Sequence, residues 1–167
     1  MSSSVTRSRI NIFISLLVGI MIGGIAQSGY SSSFAELNRE KGPTKGAVKI
    51  LSETPTRNTV HIDDKGRPIT KQQLLEPFVI PNLVGFSVAT FLPGQTMMPV
   101  HEHETMHELF YVIEGSGMFQ INGVDHDVSP GTFLHIAPTE KHGIWVPEDR
   151  TSPLRMVVTG VAVGEKK

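Results

Sequence analysis

Residues 99–115 read Pro-Val-His-Glu-His-Glu-Thr-Met-His-Glu-Leu-Phe-Tyr-Val-Ile-Glu-Gly. His101 and His103 stand two positions apart, and residues two apart on a β-strand point to the same face. We therefore expect both imidazoles to point in one direction. Glu108 opens an apolar run, Leu109 to Ile113, which predicts the next strand, and a hairpin would bring its carboxylate back beside them. Two imidazoles and a carboxylate suit a divalent ion of the iron, manganese or zinc type.

His107 is an alternative to Glu108 as the third donor, because both residues follow the same polar break in the chain. Strand alternation favours Glu108, which shares a face with the apolar side chains of Phe110 and Val112. The sequence leaves His107 as the second choice.

This stretch resembles the first motif of the cupin family, in which a Gly precedes His-x-His, a Glu and a second Gly. A second cupin motif runs from a Gly to a His eleven positions later, and the segment from Gly131 to His142 has that spacing. The resemblance covers residues 84–163, and Thr139 stands where the family has a Gly. It implies a double-stranded β-helix, that is, a jelly-roll barrel, and adds a fourth metal ligand to the set. The matching positions are Gly94, His101, His103, Glu108, Gly115, Gly131 and His142.

The rest of the chain also predicts an all-β fold. Short apolar runs are separated by turn residues, as expected for an antiparallel sandwich or barrel. Asn122-Gly123 predicts a type I′ hairpin turn between two of these strands. We expect an extension or linker with short edge strands over residues 36–77 and the cupin barrel over residues 78–163.

The amino-terminal 35 residues predict a targeting segment. Arg7 and Arg9 precede an uncharged, mainly apolar run from Ile10 to Ala26. This order is typical of a secretory signal peptide, and the run is also long enough for one membrane-spanning helix. We favour a cleaved signal over a permanent anchor. Either one predicts an exported protein, whether secreted, periplasmic, lumenal or held at a membrane by this apolar helix.

Composition excludes several classes of site. The chain contains no cysteine, so disulfides, thiolate zinc sites and nucleophilic thiols are absent. The net charge of −1 gives no basic excess for nucleic acid, and we predict no nucleic-acid partner. Exposed edges of a jelly roll favour pairing, so a homodimer is compatible with the sequence.

The predicted function is that of a metal-binding cupin. Three imidazoles and one carboxylate leave positions open on a six-coordinate ion, which favours Fe(II) or Mn(II) over Zn(II). The first hypothesis is a metal-dependent enzyme acting on a small organic molecule, dioxygenase-like as a first guess, or lyase- or isomerase-like. The alternative is a non-catalytic cupin that uses the metal to bind a small ligand.

A ligand carboxylate is not free to act as a base, so a general acid or base must come from elsewhere in the pocket. Tyr111, Gln120 and His135 are the candidates for polar groups of that pocket. We expect His126 to be a solvated hairpin residue. His61 lies outside the region of resemblance, and we expect it to be structural or exposed.

Overall fold

The computed structural model describes residues 46–164. The predicted amino-terminal helix or signal segment lies outside these residues. No helix within residues 46–164 has the length and apolar character needed to cross a bilayer. A short 3-10 turn, Leu51–Glu53, precedes ten strands. They are β1 (Thr56–Asp63), β2 (Pro68–Leu75), β3 (Leu83–Phe91), β4 (Met97–Met98), β5 (Met106–Glu114), β6 (Gly117–Ile121), β7 (Val124–Val128), β8 (Phe133–Ile136), β9 (His142–Trp145) and β10 (Leu154–Ala162).

Two antiparallel sheets face each other in a jelly-roll arrangement. The larger has seven strands in the order β4-β1-β2-β3-β10-β5-β8, and the smaller has three in the order β7-β6-β9. All the pairings are antiparallel, as the sequence predicts for an all-β fold. The core between the sheets is mainly apolar, although buried polar residues include Asp63, Gln73, Ser87, Gln95 and His142. Its members include Phe91, Phe110, Val112, Phe119, Ile144 and Met156.

Strand alternation decides which side chains enter this core. On β10, Leu154 and Met156 are fully buried, while Arg155 between them is only partly buried on the other face. Because side chains alternate along a strand, one apolar face per strand is enough to fill the space between two sheets.

The extension before residue 78 contributes more than short edge strands. β1 and β2 are eight residues each, and β2 lies inside the seven-stranded sheet between β1 and β3. Both strands carry many polar residues, so the hydrophobic pattern alone does not predict their position in the sheet. Their presence makes one wall of the barrel.

Turn chemistry fixes two of the connections. Asn122 and Gly123 both have positive φ, 50° and 83°, which confirms the predicted hairpin turn between β6 and β7. Gly115 has φ 72°, and a Cβ there would overlap the carbonyl oxygen of Pro153. Glycine is therefore required at the end of β5.

Candidate metal centre

The four predicted metal ligands come from three parts of the fold. Glu108 lies on β5 of the seven-stranded sheet, and His142 begins β9 of the three-stranded sheet. His101 and His103 lie in the segment between β4 and β5. The expectation that these two histidines share a regular strand is wrong, since only His101 forms an isolated bridge, with His142. Pro99 has no N–H to continue a ladder, which accounts for the end of β4 at Met98.

Backbone hydrogen bonds hold this segment against β9 and the loop that precedes it. The N–H of His101 donates to the carbonyl of His142 at 3.1 Å, and that of His142 donates back to His101 at 2.8 Å. The N–H of Thr139 donates to the carbonyl of His103 at 2.8 Å. These bonds join the two halves of the site, which are about 40 positions apart in sequence, at the backbone level.

The structure brings the four side chains together. One donor atom from each of His101, His103, Glu108 and His142 can be chosen such that all lie within 4.8 Å of one another. The Nε2 of His142 is 2.9 Å from Glu108 Oε2, and the Nε2 of His103 is 3.4 Å from the same oxygen.

Two of the imidazoles have their outer nitrogens bonded to the backbone. His101 Nδ1 lies 3.3 Å from the carbonyl oxygen of Pro99, and His142 Nδ1 lies 3.2 Å from that of Glu140. A carbonyl oxygen only accepts, so each Nδ1 carries the proton and each Nε2 presents its lone pair to the site. This second-sphere arrangement is typical of histidines that bind metals.

Burial and neighbouring charges put two of the donors, His101 and Glu108, in the protonation states that a metal needs. Burial, together with the His142, His61 and His103 rings, lowers the pKa of His101 to about 4. For Glu108, burial alone would raise the pKa, but contacts with His103 and His142 outweigh it and lower the pKa to about 2. At neutral pH His101 is therefore neutral and Glu108 is ionised, as metal binding requires.

The donor set fits a divalent cation. His142 Nε2 is completely buried, and although Glu108 Oε2 lies close by, no atom in residues 46–164 forms a hydrogen bond with it in acceptable geometry. Leaving such an atom unsatisfied is costly. Metal–nitrogen bonds are about 2.1 Å long, so ligands at right angles on one ion are about 3 Å apart. The close approach of His142 to Glu108 agrees with that spacing.

Aromatic side chains form the inner wall behind the site. The ring of Phe119 stacks on that of His142 with centroids 6.1 Å apart and an angle of 8°. Phe110 contacts both, with centroids 4.9 Å from Phe119 and 6.2 Å from His142. This apolar wall keeps water away from the inner side of the ligands and fixes the imidazole plane of His142.

His107, the second choice for the third donor, lies outside the cluster of four. His107 Nδ1 is 2.9 Å from His135 Nε2, and the two rings stack on the opposite face of the sheet from Glu108. The four-residue donor cluster does not include His107. The cluster therefore contains Glu108, the neighbour that strand alternation favours.

The three residues suggested as polar groups of the pocket have their contacts away from the four donors. Tyr111 is 46% exposed on the outer face of β5, and His135 is exposed and bonded to His107. The amide of Gln120 donates to Asp125 on the β6–β7 hairpin. Each of the three residues lies on a strand, as predicted, but a position on a strand does not by itself place a side chain in the pocket.

His61 is the residue near the site that the sequence did not identify. Its ring stacks on that of His101, with centroids 4.9 Å apart and planes at 28°, although we expected it to be structural or exposed. The alternation of Thr59, His61 and Asp63 on the less exposed face of β1 was a usable signal. The pairing of Ile62 with Met98, which places β1 beside β4, could not be predicted from the sequence.

Comparisons with known proteins agree with this geometry. The family model described as the cupin domain matches residues 87–160. A predicted oxalate decarboxylase of Thermotoga maritima has a similar structure, with a TM-score of 0.61 and 21% identity over 70% of this chain and 100% of that one. The polyketide cyclase RemF of Streptomyces resistomycificus is also similar, with a TM-score of 0.57 and 19% identity over 74% and 89%. At these identities the likeness concerns the fold alone.

One curated protein is more similar in sequence, over a shorter stretch. Dimethylsulfoniopropionate lyase DddW of Ruegeria pomeroyi is 39% identical over 56 residues, which is 34% of this chain and 36% of that protein. An uncharacterised protein of Methanocaldococcus jannaschii is 28% identical over 87 residues, covering 48% and 70%. The chain therefore matches about a third of the length of the lyase.

Proposed function

The chain belongs to the cupin superfamily, and from that premise we propose that it is a metal-dependent enzyme acting on a small organic molecule. One observation carries the proposal: four donor atoms of the kinds that bind divalent metals lie within 4.8 Å of one another. A purely structural barrel has no use for a buried imidazole nitrogen without a hydrogen bond.

The ion and the protein side chains would have separate roles in the reaction. A bound divalent ion would polarise an oxygen of the substrate or activate O₂. His101, His103, Glu108 and His142 would hold it, and four protein ligands leave room for substrate on an ion that accepts six, which is why Fe(II) or Mn(II) is favoured over Zn(II). Phe110 and Phe119 shield the inner side, so a substrate would approach from the side of His103, which is partly exposed.

Among the reaction types open to this site, we place a lyase-type reaction on a small organic acid first. The support is the 39% identity to a protein named as a lyase, over a third of its length. Three neutral imidazoles and one carboxylate around a divalent ion leave one net positive charge, which favours an anionic substrate. The dioxygenase-like reaction is the second version.

The test begins with metal analysis of untagged protein purified without chelator. The same protein, loaded separately with Fe(II), Mn(II) and Zn(II), is then incubated with a panel of small carboxylates that includes dimethylsulfoniopropionate. Products are followed by mass spectrometry and oxygen by electrode. We expect carbon–heteroatom or carbon–carbon cleavage without oxygen uptake. Oxygen consumption would favour the dioxygenase version, and protein that takes up no metal would contradict the proposal.

A non-catalytic role is the competing outcome of the same experiment. In that case a carboxylate would raise the melting temperature of the metal-loaded protein, and no product would form over hours. The observed geometry suits either role, so turnover is the deciding measurement.

We also propose that the protein acts outside the cytoplasm, as a secreted, periplasmic or lumenal protein or one anchored by its amino-terminal helix. The support is the basic start and apolar run of residues 7–26. Amino-terminal sequencing of the protein from the cell envelope and from the medium tests this. A mature terminus after Ala26 or Ala35 is expected for a cleaved signal, and an intact terminus in the membrane fraction is expected for an anchor.

A homodimer is proposed on the basis of the exposed outer face of the large sheet. Tyr111 and Phe133 are paired neighbours on β5 and β8, and they are 46% and 60% exposed. Adjacent exposed aromatics are typical of interfaces. Light scattering on the purified protein should give twice the chain mass, and Phe133→Lys should shift the equilibrium toward monomer.

A further inference from the structure

Two hydrogen-bond donors outside the family match, His61 and Lys71, share one face of the β1–β2 pair, since Lys71 is paired with Arg57 on the β1 face that carries His61, and the charge of Lys71 contributes to lowering the pKa of His61. His61 lies on β1 and Lys71 on β2, and both precede residue 87, where the match to the cupin domain begins. The four ligands all lie within the matched region. These two residues therefore belong to the part of the site that is particular to this chain.

His61 has unused hydrogen-bonding capacity beside the ligands. Its ring stacks on His101, which places it at the rim of the site, and the β1–β4 pairing of Ile62 with Met98 fixes its strand there. In the described part of the chain its ring nitrogens form no hydrogen bond, since its contacts are the stack and backbone bonds to Thr59. Burial lowers the pKa of His61, and the charge of Glu108 opposes that shift.

Lys71 lies on the inner face of the barrel. It lies two residues from Ile69 and from Gln73 and so shares their face of β2, and these two residues are 1% and 3% exposed. Its paired neighbour on β3 is Ala89 of the core. Within residues 46–164 its ammonium forms no hydrogen bond and no ion pair within 4 Å, whereas its neighbour Arg57 is paired with Glu76. Burial, and then the charge of Arg57, lower the pKa of Lys71.

We propose that His61 and Lys71 form an anion subsite, which holds the carboxylate of a substrate whose second oxygen faces the metal. The inference rests on the proposed function and names its substrate class as a small oxygen-bearing carboxylate. The carboxylate nearest to the half-buried ammonium of Lys71 is that of Glu76, which is paired directly with Arg57, and a substrate carboxylate would supply a closer partner. A carboxylate held between this pair and the cation would be oriented by two separate contacts.

The test uses a matched pair of probes on protein loaded with Co(II). Glycolate carries a carboxylate and a second oxygen, and glycolamide is its neutral isostere. Binding is followed by the visible absorption of the metal. We expect the wild type to bind glycolate more tightly than glycolamide. His61→Phe, which keeps the ring stack, and Lys71→Met, which keeps the aliphatic stem, should each weaken glycolate binding about tenfold or more and leave glycolamide nearly unchanged.

Controls separate this inference from the proposed function. His126→Phe and Lys65→Met alter an exposed strand histidine and an exposed lysine, and both should bind glycolate like the wild type. Metal affinity, measured by competition with a chelator, should change little in His61→Phe. A loss as large as that in His101→Ala would make His61 a ligand and overturn the subsite.

Wild-type protein that takes up no Co(II) would overturn the proposed function itself. Wild-type protein that takes up Co(II) but binds glycolate no better than glycolamide would overturn the subsite alone. The subsite would also be overturned if His61→Phe and Lys71→Met both bind glycolate as tightly as the wild type.

Discussion

At the scale of single residues, the metal centre is defined by how each imidazole is oriented. His142 is 0% exposed, stacks on Phe119, and directs its Nδ1 to a backbone carbonyl, so its Nε2 can point only toward Glu108. His101 is oriented in the same way by the carbonyl of Pro99. Preorganised ligands lose little entropy on binding, which is the physical basis for expecting tight metal binding.

Removing one ligand should release the metal. His101→Ala deletes one of the four donors, so we expect metal affinity to fall more than tenfold. His126→Ala alters an exposed histidine on β7 and should leave affinity unchanged. Elemental analysis after dialysis measures both, with circular dichroism as the check on folding. Equal metal in the two variants would contradict the ligand assignment.

The metal-free protein should lose stability as the pH falls. The pKa of His101 is about 4 when folded, below its ordinary value of 6.5, so the unfolded chain binds more protons between these limits. The stability contribution is complete above pH 6.5 and is lost as the pH falls toward 4. Glu108, with a pKa of about 2 against 4.5, adds a further loss between pH 4.5 and 2.

Calorimetric melting of metal-free protein at pH 7.5, 5 and 3.5 measures this dependence. His101→Phe removes the titrating group and should show a shallower decline between pH 6.5 and 4. Parallel curves for variant and wild type would show that His101 is not responsible.

At the scale of elements, the loop before β9 carries a strained residue. Thr139 has φ 71°, in the left-handed region that a β-branched residue rarely occupies, and it stands where the cupin family has a Gly. Its N–H donates to the carbonyl of His103, so the strain accompanies a bond that holds the ligand segment. Strained backbone of this kind is maintained by the surrounding structure.

Thr139→Gly should therefore stabilise the fold. Relief of the left-handed conformation is worth about 1–2 kcal/mol, partly offset by the greater entropy of glycine in the unfolded chain, so the melting temperature should rise by about 2–5 °C. Thr151→Gly, an exposed loop threonine without positive φ, should be neutral or destabilising. If both variants lowered the melting temperature equally, the strain at Thr139 would be ruled out.

At the scale of the whole molecule, the metal centre connects the two sheets. Glu108 comes from the seven-stranded sheet and His142 from the three-stranded one, while the His101 segment forms backbone bonds with β9. A cation bound by all of them would bind the folded state alone, because the donors are far apart in an unfolded chain. Metal binding should thus act on global stability.

Metal removal should lower the melting temperature of the entire barrel in one transition. At a free metal concentration about a hundred times Kd, binding adds about 2.7 kcal/mol, which corresponds to about 10 °C for a domain of this size. Calorimetry with and without chelator tests this, and Glu108→Gln should show a much smaller difference. A chelator effect of the same size in that variant would place the stabilising metal elsewhere.

Short-range rules allowed the sequence to determine most of the site and the fold class. Alternation along a strand chose Glu108 over His107, the Asn122-Gly123 pair predicted its hairpin, and the spacing from Gly131 to His142 identified the fourth histidine. Each of these depends on residues within a dozen positions of one another, where backbone geometry is fixed by local sterics.

The tertiary structure alone decided what surrounds the ligands. His61 reaches His101 because β1 pairs with β4, about 35 positions later, and Lys71 faces the interior because β2 lies between β1 and β3. A polar strand has no hydrophobic pattern that specifies its partner or register. Long-range pairing is determined by the packing of the entire barrel, and no local stretch of the chain encodes it.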